Sequence, residues 1–324
     1  MSSLLTRAAT HAATVARERL HPRSIEFWMP LLPVVLYWVV AVLYDWLDAR
    51  QHPWTERRRL RPKAEAQARN SVTRAHVVGR VLLQHAVQCA VAWANTLVDP
   101  AFCDARPPGG PLKTAGQFAL CMFVFDAWQY MIHRLMHEHK GLYNAVHSTH
   151  HRLLVCYAAG ALYNHPLEAF LLDTVGALAT VYASGAPCNV ATAFFCFATV
   201  KTVTDHCGYD WPVNPLAPLF ANNARYHDVH HDPRGFRKNY SQPFFTHWDW
   251  LLGTRMDPAE LTRMDREKEA RRKAKEAAVA AEEDSVAQRT TPRGRGRGGE
   301  DGGATTIPAA AAGTRTTPRR RARA

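Results

Sequence analysis

The sequence predicts an all-α integral membrane protein: a helical bundle of about four spans, with a cytosolic histidine-rich cap able to hold two metal ions. Three observations predict it. Long uncharged apolar runs fill most of the first 256 of the 324 residues. A strongly basic stretch follows the first of those runs and sets an orientation. Twelve of the 17 histidines lie between positions 133 and 247, most of them in clusters at helical spacing. The formal charge of +12 and mean hydropathy of -0.27 average over two unlike populations, an apolar body and a polar tail.

Residues 1–26 form a helix-compatible N-terminal segment bearing Arg7, Arg17, Arg19 and Arg23. No small-residue cleavage site follows a short apolar core, so an anchor is expected rather than a removable signal. "FWMPLLPVVLYWVVAVLY" at 27–44 is uncharged over the length of one bilayer crossing. Pro30 and Pro33 are tolerable in a membrane helix, where neighbours re-satisfy the backbone. Phe27, Trp28, Tyr44 and Trp46 suit the two interfaces. The 52–76 stretch then sets Arg57, Arg58, Arg59, Arg61, Lys63, Arg69 and Arg74 against Glu56 and Glu65. A second apolar run covers 77–98, and the Pro/Gly-rich loop "RPPGGP" (106–111) closes a membrane region at 27–114. A third run covers 115–132. Residues 161–204 read as two apolar halves split by "SGAP" (184–187), a helical hairpin whose halves are short for a full crossing.

Placing 52–76 in the cytosol puts 99–114 on the far side and returns the third run to the cytosol just before His133. The hairpin then dips in and out, so all three histidine clusters emerge on the cytosolic face. The N-terminal arginines pull weakly the other way. Beyond a histidine-bearing region at 115–256, residues 257–324 are polar: a charged helix-like piece, then an Arg/Gly/Thr/Pro/Ala segment that cannot build a core. Disorder is the default expectation there.

The seven cysteines show no C-x-x-C spacing and mostly sit in apolar segments. That argues against a disulfide framework or zinc finger and for small, reduced, buried hydrophobes. The basic excess flanks apolar spans without any recognition-helix, RNA-recognition or finger signature. No nucleic-acid partner is expected, despite the "RGRGRGG" tract at 293–299.

The histidines carry the chemistry. "HRLMH" (133–137) places His133 and His137 four apart on one helical face. "HSTHH" gives His147, His150 and His151 at i, i+3 and i+4, and "HDVHH" repeats that spelling with His227, His230 and His231. Single histidines near a membrane face are ordinary; three such clusters by accident are not. Eight imidazoles exceed what one tetrahedral zinc needs, so the pattern asks for two adjacent metals with positions left for an exogenous ligand. A carboxylate-type di-iron site would use Glu and E-x-x-H pairs, which are absent. Redox iron activating dioxygen on a lipid fits better. His206 in "TDHCG" and His165 in "YNHPLE" flank the hairpin as further candidate ligands, whereas His139 and His247 read as surface or interfacial. Asp126, Asp205 and Asp228 lie beside the clusters and are either partners of imidazole N–H groups or solvated and capping residues.

These histidines, with "HSTHHRLLVCYAAGALYNHPLEAFLLDT" (147–174), "FATVKTVTDHCGYDWP" (197–212) and "NNARYHDVHHDPRGFRKNYSQPFFTHWDWLLGT" (222–254), resemble the fatty acid hydroxylase/sterol desaturase superfamily. Within it they look like the sphingoid base hydroxylases that act at carbon 4 of sphinganine. The likeness covers about 120–256. It implies a monooxygenase of sphingolipid biosynthesis in the endoplasmic reticulum membrane, with two iron ions and dioxygen as co-substrate. Carried over, the iron ligands would be His133, His137, His147, His150, His151, His227, His230 and His231, with His206 a ninth. No fused cytochrome b5 domain is visible, so separate cytochrome b5 and an NADH- or NADPH-dependent reductase would supply electrons. The end "RRRARA" carries no dilysine retrieval signal, so the reticulum address rests on the likeness. Alternatives are a sterol C-4 methyl oxidase or desaturase of the same superfamily and, from another class, a non-enzymatic metal-binding membrane protein. The preference for free base or ceramide, the lining of the substrate channel and the oligomeric state are not legible.

Overall fold

A computed structural model describes residues 2–211 and 219–290, and among these there is no strand. Helix α1 (Ser2–Arg19) leads into α2 (Ile25–Arg50). Then come α3 (Arg74–Val98), α4 (Pro111–Glu138), α5 (Pro166–Ser184) and α6 (Cys188–Asp205). The short α7 (Ala224–His231) and terminal α8 (Pro258–Thr290) complete the series.

Helices α2, α3 and α5 are long and apolar enough to cross a membrane. Only 11% of the most apolar window of α2 is buried in protein. Val35, Val39, Val42 and Leu43 therefore face outward, as lipid-facing side chains do. Pro30 and Pro33 lie within α2 without ending it. The 115–132 run falls inside α4, whose 28 residues also carry Gln117, Asp126, Gln129, His133 and His137. Three helices thus suffice for a crossing by themselves, and α4 and α6 pack among them.

Two apolar cores hold the bundle. In one, Tyr37 and Ala41 of α2 meet Val77 and Val81 of α3, Val203 of α6 and Ala158–Tyr163 of the connecting segment. The Tyr37 hydroxyl donates to Ala159 O at 3.0 Å. In the other, Cys121 and Phe125 of α4 pack on Val181 of α5 and on Phe194 and Ala198 of α6. Helix α5 is not uniform: residues Ala169–Val175 wind as π-helix before α-geometry resumes at Gly176. Gly185 then ends it with φ +58°, a left-handed cap that glycine adopts without strain.

The loops sort to two ends. Arg61, between α2 and α3, donates to Asp228 (2.9 Å) and Asp232 (3.1 Å) beside α7, so the basic loop meets the histidine end. At the other end Cys103, between α3 and α4, is disulfide-bonded to Cys188 at the start of α6. Arg19 of α1 pairs there with Asp104. This disulfide corrects the expectation of seven reduced cysteines. The pair is 85 residues apart in sequence, and only the meeting of a loop with the hairpin turn brings it together.

By compactness the chain divides into Met1–Glu267 and Lys268–Ala324. The charged helix-like piece of the tail is helical over Pro258–Thr290. Its Ala/Glu/Lys/Arg composition is strongly helix-forming, and pairs such as Glu269–Lys273 (3.7 Å) add i,i+4 support. The 291–324 segment, expected to be disordered, lies outside the described residues.

Candidate metal centre

Nine buried histidines converge in two adjacent groups: His133, His137, His147, His151 and His230 in one, His150, His206, His227 and His231 in the other. Within each group the candidate ligand atoms all lie within 4.8 Å of one another. The duplicated spelling crosses over. Each H-x-x-H-H arm gives its i and i+4 histidines to one group and its i+3 histidine to the other. His147 and His151 therefore join the α4 pair, and His150 joins His227 and His231. His230 makes the reverse journey.

The two arms match ring for ring. His147 and His150 stack at 5.6 Å and 25°, His227 and His230 at 5.6 Å and 29°. His150–His151 and His230–His231 both stand at 5.6 Å and nearly perpendicular, 88° and 89°. Yet the first arm is a 3₁₀ segment (His147–Arg152) and the second an α-helix. Helix α7 is capped by Asn223, whose side chain accepts from Tyr226 N at 3.0 Å.

Six of the nine imidazoles have Nδ1 tied to an acceptor. His133 donates to Tyr240 O (2.8 Å), His150 to Tyr163 O (3.1 Å) and His206 to Thr202 O (2.8 Å). His230 donates to Lys238 O and His231 to Leu153 O, both at 2.8 Å. His147 bonds the Glu168 carboxylate at 2.5 Å. A carbonyl only accepts, so Nδ1 carries the proton and Nε2 presents a lone pair. His150 Nε2 and His231 Nε2 then face each other at 3.2 Å with no proton for either to share. Two buried lone pairs at that distance repel, and a cation between them removes the conflict. Burial pushes the His147 and His206 imidazoles down to about 3 and His150 to about 4. All three are thus neutral near pH 7, the form that binds metal. The donor set fits two metal ions of the nitrogen-preferring transition series.

A cavity of about 50 Å³ opens on both groups, bordered by His133 and His147 from one and by His150, His206 and His227 from the other. An exogenous small molecule could enter there. Phe125, Leu162, Asp173 and Thr202 border this cavity and also a larger apolar one of about 160 Å³ among α2, α3, α5 and α6.

The structure brings together every clustered histidine and His206, and leaves out His165. That ring instead accepts from Leu167 N at 3.2 Å, capping α5. It lies in neither group. His139 is exposed and His247 stacks on Phe123 at 6.1 Å. None of Asp126, Asp205 and Asp228 bonds an imidazole. Asp126 accepts from Phe244 N (2.9 Å) and Phe245 N (3.2 Å). Asp205 pairs with buried Lys201, and Asp228 with Arg61. They pin loops and helices, not rings. The carboxylate that does hold an imidazole is Glu168, absent from the sequence reading except as a letter of "HPLE". Asp249 also escaped notice. It accepts from Tyr240 N (2.9 Å), Ser241 N (2.8 Å) and the Tyr226 hydroxyl (2.9 Å), fixing the segment whose Tyr240 carbonyl orients His133.

Residues 118–254 match the family model described as fatty acid hydroxylase. A very-long-chain aldehyde decarbonylase of Oryza sativa subsp. japonica is 49% identical over 233 residues, 71% of this chain and 88% of the relative. The chain belongs to the fatty acid hydroxylase family. A sphingolipid C4-hydroxylase of Schizosaccharomyces pombe is 40% identical, covering 74% of this chain and 91% of its own. A sphinganine C4-monooxygenase of Arabidopsis thaliana is 44% identical over 71% and 88%. Methylsterol monooxygenases match less of the chain, that of Rattus norvegicus at 36% over 41% of this chain and 44% of its own. No solved structure matches.

Proposed function

We propose that this membrane enzyme is an iron-dependent monooxygenase that hydroxylates carbon 4 of a sphingoid base or its N-acyl form. One observation carries the reading: two crossed groups of neutral imidazoles border a chamber that shares its walls with an apolar cavity among the spans. The names of the fission-yeast and Arabidopsis relatives supply the substrate class.

The nine clustered histidines would hold two iron ions, and His165 would hold none. When bound, the irons supply dioxygen activation and removal of hydrogen from an unactivated C–H bond. The chain does the rest. Carbonyls of Leu153, Tyr163, Thr202, Lys238 and Tyr240, with Glu168, fix the tautomer and aim of six of the nine rings. The apolar cavity takes the hydrocarbon chain, and the residues it shares with the histidine chamber, Phe125, Leu162, Asp173 and Thr202, limit which carbon reaches the centre. Two electrons per turnover come from separate cytochrome b5, reduced by an NADH- or NADPH-dependent reductase. The histidine end faces the cytosolic side of the endoplasmic reticulum membrane. Arg57, Arg58, Arg59, Arg61, Lys63 and Arg69 in the loop at that end support this. The Cys103–Cys188 bridge at the opposite end supports it independently, because disulfides belong on the oxidising side.

A second reading, turnover of a very-long-chain aldehyde, draws on the name of the rice relative. Purified enzyme with cytochrome b5, its reductase and NADH should be offered sphinganine, dihydroceramide, a very-long-chain aldehyde and a methylsterol. The expected product is the 4-hydroxysphingoid. Consumption of the aldehyde or the sterol with both sphingoid substrates untouched would overturn the proposal.

A further inference from the structure

One carboxylate stands among the residues bordering the large cavity, that of Asp173 on the π-wound part of α5. It borders the histidine chamber as well. Three helices build its place. Gln84 of α3 donates to Asp173 Oδ2 at 2.6 Å and Gln129 of α4 to Oδ1 at 3.3 Å. Gln129 is itself held, its Nε2 also on Leu172 O (3.0 Å) and its Oε1 accepting from Gln242 at 2.9 Å. Trp128 donates to Leu171 O at 3.0 Å, so the π segment is braced on two successive carbonyls. Such widened turns concentrate at functional sites.

Each of its two oxygens accepts a side-chain amide N–H. No Lys or Arg borders either cavity. The half-buried carboxyl group thus has amide partners and no cation, and nothing in the mechanism so far uses it. Two more polar atoms beside it lack partners. They are Oε2 of Glu168, a residue bordering the histidine chamber, and Oγ1 of Thr174, a residue bordering the apolar cavity. Both residues are nearly fully buried, 1% and 5% exposed. The junction therefore offers a carboxyl group shared by both cavities and no cation of its own, which suits a ligand that carries N–H and O–H donors and a positive charge.

The head of a free sphingoid base is such a ligand, with an ammonium at carbon 2 and hydroxyls at carbons 1 and 3. Its nitrogen sits two carbons from the carbon to be oxidised. Whatever binds it must border the metal chamber while the tail leaves through the apolar cavity, and Asp173 meets both conditions. We propose that Asp173 is the positioning and specificity residue that binds the ammonium of a free sphingoid base, selecting it over the N-acylated lipid. This rests on the sphingoid-hydroxylase reading.

The test uses the full-length enzyme in nanodiscs with cytochrome b5 and reductase, offered sphinganine and a short-chain N-acyl sphinganine. Wild type should favour sphinganine. Asp173→Asn should raise KM for sphinganine about 10- to 100-fold, the range for losing a hydrogen bond to a charged group. Its kcat should stay near wild type, as should KM for the N-acyl substrate and the iron bound per chain. Asp173→Glu should recover part of the sphinganine affinity. A wild-type preference for the N-acyl substrate overturns the proposal while leaving the function intact. So does an equal loss on both substrates, no loss on either, or loss of iron from Asp173→Asn. If wild type hydroxylates neither substrate, the functional reading itself has failed and the proposal with it.

Discussion

The two H-x-x-H-H arms have the same spelling and the same ring geometry, but they are built on different backbones. The 147–151 arm is a 3₁₀ segment and the 227–231 arm is the C-terminal turns of α7. Helical spacing therefore does not set where the rings point. The acceptors outside them do: Glu168 and the Tyr163 carbonyl for the first arm, the Lys238 and Leu153 carbonyls for the second. The arms also differ in how they are anchored. The first leans on a buried carboxylate that touches a ring, and the second on Asp228 and Asp232, clamped by Arg61 from outside.

Removing a crossed-over ring should have the largest effect. His150→Ala and His230→Ala each take a donor from the group that the other arm dominates, so each should lower hydroxylation at least ~100-fold with membrane insertion intact. Product assays on membranes with matched expression check this, and near-normal activity in both would remove these rings from the site. Next comes the anchor of the first arm. Glu168→Gln keeps the shape but weakens the hold on His147, and metal affinity or activity should fall roughly 10–100-fold. Chelator competition reads the affinity directly. Arg61→Ala, the matching change in the second arm, should act on stability instead, costing about 2 kcal/mol with residual activity retained. If Arg61→Ala lowered metal affinity as much as Glu168→Gln, the two arms would not be anchored in different ways.

Acidification offers a milder test. His147, His150 and His206 are held neutral in the fold at about 3, 4 and 3, against an ordinary value of 6.5. The unfolded chain thus binds more protons between those limits. Stability of the metal-free protein is full above 6.5, falls as pH drops below it, and levels off near 3–4. Thermal unfolding from pH 8 to 4 would show a declining midpoint, and a flat profile would mean that the rings are not buried. The smallest effect belongs to His165→Ala. It should cost about 1 kcal/mol or less through the lost cap on α5 and leave metal content unchanged. His206→Ala, by contrast, should lose metal.

The histidine clusters were legible because a metal site writes its donors into the chain at short range. Span-like runs are equally local, and so 27–44 and 77–98 fall inside α2 and α3. What stayed illegible depends on distant partners. Asp126, Asp205 and Asp228 neighbour the histidines in sequence, yet their side chains turn to Phe244, Lys201 and Arg61. Glu168 reaches His147 across 21 residues, and the crossover of His150 and His230 exists only once both arms meet. His165 looked like a ligand because histidine, at the mouth of a hairpin, serves equally well as a cap. The Cys103–Cys188 pair is invisible to any spacing rule.

The central claim is that two crossed histidine groups hold two ions, not one. Metal analysis with Mössbauer spectroscopy of anaerobically purified, iron-57-labelled protein tests it most directly. Two irons per chain with a spin-coupled spectrum are expected. One iron per chain, or two equivalents of zinc with no iron taken up on reconstitution, would contradict it.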